Sequence, residues 1–153
     1  MTIPQNQTIT SFGNTKQDLV MNWIRSEWKG ILAEFVSTML LIALGCMSCI
    51  PIEGLSLNPA MYAPLTFGFV VMFNIQIFGH ISGAFMNPFV SIIAALWGKI
   101  STTVAIAYII AEMAGAALGY GFLVAIAPVD MAGDGLCLTL PSQGYKRIPS
   151  FSC

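Results

Sequence analysis

The chain has 153 residues, a formal net charge of −1, 56% hydrophobic residues and only 8% charged ones. Soluble domains carry about 25% charged residues, so water is not the main solvent for this chain. A near-neutral balance supplies no basic field for a nucleic acid partner. Cys46, Cys49, Cys137 and Cys153 lack zinc-ligand spacing, and the sequence points to no metal or other cofactor.

Residues 1–27 read as a cytoplasmic N-terminal tail, without regular structure over Met1–Val20 and without a cleavable leader. Trp23, Arg25, Trp28 and Lys29 mark a membrane interface, where aromatic and basic side chains collect. A first span is expected over 31–50; its length as a helix, about 30 Å, crosses the hydrocarbon core. Cys46-Met-Ser-Cys49 has redox spacing, but it closes an apolar run with no βαβ context. It reads as two small apolar residues. A short outer loop follows, and a second span is expected over 59–79, with Asn58 as N-cap and Pro59 at the first helical position.

Residues 80–98 read as a re-entrant segment. Glycine-rich polar backbone between two long apolar runs cannot face lipid; it must be buried in protein or line a water-filled path. Asn87-Pro88 opens a short apolar helix ending near Trp97, about 15 Å long, with Gly98 to close it and Lys99 suited to its C-terminus. Its N-terminus falls near the bilayer midplane, with unpaired N–H groups and a partial positive charge. It either caps itself in a buried site or faces a pore, where it repels cations. A third span is expected over 101–127, and 128–153 reads as an extracellular loop and a divergent tail. Lys16, Arg25, Lys29 and Lys99 fall on one side of this plan, which places the N-terminus in the cytoplasm. The sequon Asn6-Gln7-Thr8 then stays unglycosylated.

Glu34 and Glu112 lie inside spans, at a cost of about 2.5–3.5 kcal/mol each on an insertion scale. They serve as an ion or proton relay, or they accept backbone N–H bonds from the re-entrant segment. Glu34 shares a helical face with Thr38 and Gly45. Glu112 shares one with Tyr108, Gly115 and Gly119, and Gly115-Ala-Ala-Leu-Gly119 is a close-packing pattern. His80, the single histidine, reads as a hydrogen-bonding residue or a pH gate. No nucleophile stands beside a base, so enzyme chemistry is not expected.

Gly79-His-Ile-Ser-Gly-Ala-Phe-Met-Asn-Pro-Phe-Val-Ser91 resembles the first pore signature of the aquaporin, or major intrinsic protein, family, whose usual form is G-H-I-S-G-A-H-x-N-P-A-V-T. Ala33-Glu34-Phe35 with Thr38 and Gly45 resembles the family's first helix, and Tyr108 to Gly115 its third. The resemblance covers about 28–140. It implies an all-α membrane protein with three transmembrane helices and one re-entrant half-helix, one of the two inverted repeats of the aquaporin fold, over 28–127. It also implies a narrow pore for water or small neutral solutes such as glycerol. Asn87 would hold permeating water, with Pro88 and Phe89 beside it. Phe67 would line the constriction, and carbonyls of about Gly79 to Ala84, with His80, Ser82, Gly83 and Phe85 among or beside them, would line the path. Phe85 replaces the usual histidine, Phe89 the alanine of Asn-Pro-Ala, and Glu112 a common glutamine. Asn58-Pro59-Ala60 matches the tripeptide but opens a full span.

The family's second repeat is absent from these residues, so the chain reads as a truncated isoform, a fragment or a truncated gene model. Its bare half-helix tip would leave polar groups unsatisfied in hydrocarbon. Two copies inserted alike send both half-helices from the same side, so their tips cannot meet. The expectation is a plasma-membrane half-channel that conducts only with a complementing partner. Two alternatives stand beside it: a non-conducting subunit in homo- or hetero-oligomers with full-length aquaporins, or a fragment of a secondary transporter.

Overall fold

A computed structural model describes residues 16–50, 59–127 and 137, with the side chains of 59 and 60 left aside. Four helices run in the order α1 (Lys16–Met47), α2 (Pro59–Phe78), α3 (Pro88–Leu96) and α4 (Thr102–Ile126), with no strand among the described residues. α1, α2 and α4 are each long and apolar enough to cross a membrane, and α3 is not. This is the all-helical half-repeat expected. Asn6, Asn58, the outer loop and most of 128–153 lie outside the described residues.

α1 begins earlier than expected. Residues 16–20, assigned to an unstructured tail, form its first turns, with Asp18 in the first turn favoured by the helix dipole. At about 48 Å, α1 is longer than a hydrocarbon core, so its charged first third extends past the apolar span. It also stops at Met47 rather than at 50. Cys49 N–H bonds the Cys46 carbonyl at 3.0 Å and Ile50 N–H the Met47 carbonyl at 3.2 Å, making a turn. A residue before proline, here Ile50 before Pro51, is disfavoured in helix.

α3 is nine residues, about 14 Å, half the length of a span. Asn87 caps it, its Oδ1 accepting the Phe89 N–H at 2.9 Å. Its far end closes as a Schellman motif. Gly98 at φ 72° donates to the Ala95 carbonyl, and Lys99 N–H donates to that of Ala94, both at 2.9 Å. α4 starts at the Ser101 cap, whose Oγ accepts from Val104 N–H at 3.3 Å.

The closest packing is between α1 and α4. A Cβ at Gly115 would overlap the Phe35 carbonyl, and one at Gly119 the Met39 carbonyl. Only glycine lets the two backbones approach this closely. At the end nearer Lys29, Tyr108 packs over Gly30 in the same way. α2 packs on α1, and Gly45 leaves the space that the Phe67 ring fills. α3 packs on α4. On the opposite side of α2, Met61, Leu65, Phe69, Phe73 and Ile77 are exposed at a spacing of four among the described residues.

Cys46 is not simply a small apolar residue. It forms a disulfide with Cys137, with Cα atoms 5.3 Å apart, while Cys49 keeps a free thiol. The partners are 91 residues apart in sequence. They meet because α1 and α4 end at the same face of the bundle, which cysteine spacing does not reveal.

Candidate pore segment

Residues 79–87 descend between α2 and α3 without regular structure after an initial turn. Ser82 N–H bonds the Phe78 carbonyl and Gly83 N–H the Gly79 carbonyl, each at 3.1 Å. The Gly79 carbonyl is therefore occupied, whereas those of His80 to Ala84 accept no bond from the described residues. Gly83, Ala84 and Met86 hold positive φ, at 101°, 50° and 52°. For Ala84 and Met86 this costs about 1–2 kcal/mol each. Gly83 has a further constraint, since a Cβ there would press on the Phe85 ring.

The strain is held by Glu34. Its carboxylate, fully buried at 0% exposure, accepts from Ser82 Oγ at 2.6 Å and Phe85 N–H at 2.9 Å through Oε1. Oε2 accepts from Met86 N–H at 2.8 Å. Bonds to a charged acceptor contribute about 1.5–3 kcal/mol each, enough to offset two left-handed residues. Ser82 Oγ in turn accepts the Ala84 N–H at 3.1 Å. A second support, Asn74, is not evident from the sequence reading. Its buried Nδ2 donates to the Ser37 carbonyl at 2.8 Å and to Met86 Sδ at 3.2 Å, tying α2 to α1 and to the loop. The available signal was an amide in the middle of an apolar run.

Glu112 lies close to Glu34 and to the backbone of Asn87 but bonds a different element. Its Oε1 accepts from Ser91 Oγ at 2.7 Å, fixing α3 to α4, and its buried Oε2 has no hydrogen-bond partner among the described residues. Thr38 Oγ1 is likewise buried without a hydrogen-bond partner among the described residues. Phe85 sits against Tyr108, ring centroids 6.2 Å apart.

The sequence-derived pore residues separate into two groups. Asn87 and Phe89 are exposed at the α3 tip, Phe89 at 67%, and Pro88 is half-buried between them. Asn87 spends its Oδ1 on the cap, which leaves Nδ2 available to donate. Ser82 is buried, and Phe85 half-buried, in the loop support. His80 is exposed at the loop entrance and lines a cleft of about 700 Å³ with Trp28, Lys29, Ala33 and Phe78. Phe67 lies at the other end of the bundle, against the Cys46–Leu123 cluster. No group of three or more potential metal ligands occurs among the described residues.

Residues 22–151 match the Major intrinsic protein family. The chain belongs to that family. It is 37% identical to mouse aquaporin-4 over 121 residues, which is 76% of this chain and 37% of the relative. Identity to human aquaporin-4 is 33% over 122 residues, again 37% of the relative. Identity to the chicken lens fiber major intrinsic protein is 32% over 126 residues, 45% of that protein. The chain thus spans less than half the length of these relatives. With three membrane-length apolar helices, it is an integral membrane protein.

Proposed function

We propose that this chain forms one half of a bilayer channel for water, and for glycerol or similar small neutral solutes. It conducts when a complementary half, on the same polypeptide or on another, covers the α3 tip. The observation that carries this reading is the exposed Asn87 on a half-length helix, at the end of a strained loop pinned by buried Glu34. The half-helix dipole and the Nδ2 of Asn87 present donors to a permeating oxygen and disfavour cations. The free carbonyls of 80–84 supply acceptors along the approach. His80 stands at one mouth and Phe67 narrows the other. Glu34, with both oxygens engaged, supports the loop rather than carrying ions.

The N-terminus lies in the cytoplasm of a plasma-membrane protein in this reading. Arg25, Lys29 and Lys99 collect at one membrane face, with Lys29 and Lys99 each set over a tryptophan ring. The disulfide is at the opposite end, as an oxidising exterior requires.

Stopped-flow osmotic shrinkage tests the proposal. Vesicles holding this chain with the second repeat of an aquaporin relative should shrink faster than bare lipid, and Asn87→Asp should abolish the gain. The chain without a complementing half should match bare lipid. Pairs no faster than lipid, although both halves are inserted, would overturn the channel reading. Flux from the chain alone would overturn the need for a second half. Reduced flux of a co-inserted full-length relative would instead support a non-conducting, inhibitory subunit.

A further inference from the structure

Three of the four cysteines converge at one end of the bundle. Cys46 and Cys137 form the disulfide. The free thiol of Cys49 lies with its Sγ 3.8 Å from Cys137 Sγ. Cys46 and Cys49 are three residues apart, joined by the Cys49 N–H to Cys46 carbonyl bond that ends α1, so both side chains face the same way. One sulfur, that of Cys137, is therefore bonded to one cysteine and in van der Waals contact with a second.

We propose that these three residues form a thiol–disulfide exchange centre in which Cys137 passes between Cys46 and Cys49. The Cys49 thiol gives its proton to solvent, and the thiolate attacks Cys137 Sγ. A Cys49–Cys137 bond forms as the Cys46–Cys137 bond breaks. The electron pair leaves on Cys46, which takes up a proton. The step is an isomerisation: one disulfide and one thiol enter and leave it, so it needs neither oxidant nor reductant.

The two forms differ in what they tether. In the observed form, Cys46 is buried beside Leu123, with Ile42, Phe67 and Ala127 packed around them. Cys49 is only half-buried. Exchange moves the tether out of the apolar cluster onto the turn and releases a thiol next to Phe67. Cys46–Cys137, the pairing seen in the structure, is the major form; a thiolate leaving into apolar surroundings slows the step, and exchange accelerates as pH rises. Under the channel reading, the exchange changes the surroundings of a pore-narrowing ring; the exchange itself does not depend on that reading.

The sequence supplies a clean assay. Met47 separates the two candidate cysteines, so cyanogen bromide in acid, where exchange is frozen, leaves Cys46 in fragment 40–47 and Cys49 in 48–61. Cys137 falls in fragment 132–153. The full chain carrying Cys153→Ser, in detergent micelles, is held at pH 8.5 without added thiol or oxidant, then acidified, cleaved and weighed by mass spectrometry. Both linked pairs, 40–47 with 132–153 and 48–61 with 132–153, are expected, the second as the minor species. It should approach equilibrium about tenfold more slowly per pH unit below the thiol range. A second variant, Cys46→Ser, should yield the 48–61 pair on treatment with oxidised glutathione. Finding only the 40–47 pair at every pH, or an unlinked Cys137 in oxidised Cys46→Ser, would overturn the proposal.

Discussion

Glu34 and Glu112 are both fully buried carboxylates on membrane-spanning helices, but the protein treats them differently. Around Glu34, the loop alone supplies three donors, the Ser82 hydroxyl and the backbone N–H groups of Phe85 and Met86, with left-handed residues at 84 and 86. Around Glu112, one serine hydroxyl is the hydrogen-bond donor among the described residues, with Glu34 and the Asn87 backbone nearby, and one oxygen accepts none of these bonds. The first carboxylate organises irregular backbone that could not otherwise be kept from water. The second joins two regular helices that are already packed. A buried charge is worth most where it replaces a missing backbone ladder, and least where the ladder is complete.

Deleting Glu34 should break this contrast most severely. Glu34→Ala strands one buried and one part-buried N–H group and a hydroxyl, at about 1–3 kcal/mol each, so a total of about 3–9 kcal/mol is expected. The measurement is the midpoint of denaturant unfolding followed by helical circular dichroism in mixed micelles. A loss under about 1 kcal/mol would mean the loop holds itself. Glu34→Gln keeps one acceptor but aims an amide donor at an N–H, at a cost of about 2 kcal/mol. On the other side, Ser91→Ala removes the one donor Glu112 has and should cost about 1–2 kcal/mol by the same assay. Equal losses for Glu34→Gln and Ser91→Ala would still leave the contrast standing. Its real control is a substitution of Glu112 itself.

Much of this arrangement was legible in the sequence because local chemistry specifies it. Pro59, Asn87-Pro88, Ser101 and Gly98 mark helix ends by capping and by dihedral restriction, and α2, α3 and α4 begin or close at them. That an intramembrane carboxylate needs donors follows from desolvation alone, and Glu34 meets that need from the loop backbone. Which donors each carboxylate finds does not follow, since it depends on depth and rotation relative to a loop whose path is set by three helices. Asn74 shows the same limit: its polarity was visible, but not that it bridges Ser37 and Met86 across two elements. The Cys46–Cys137 pair is the extreme case, because nothing local connects residues that meet only when α1 and α4 pack. The start of α1 failed for the opposite reason, as residues 16–20 lack an apolar run yet simply continue the helix outward.

The smallest expected effect is the sharpest test of the comparison. Glu112→Gln retains the acceptor for Ser91 Oγ and replaces the bare Oε2 with an amide of similar size. It leaves a side chain that is always neutral in a buried site with one hydrogen-bond partner among the described residues, so the desolvation relieved and the hydrogen-bond strength lost nearly cancel. The expected change in unfolding free energy is under about 1 kcal/mol in either direction. Glutamine is also the residue that the family resemblance places here. Combining Glu112→Gln with Ser91→Ala completes a double-mutant cycle that isolates the pair. A coupling near zero would reduce the Ser91 contact to packing, leaving Glu34 as the one carboxylate with an organising role. A Glu112→Gln loss of about 2 kcal/mol or more, matching Glu34→Gln, would mean that the bare oxygen is engaged in the folded protein, and the distinction between the two sites would fall.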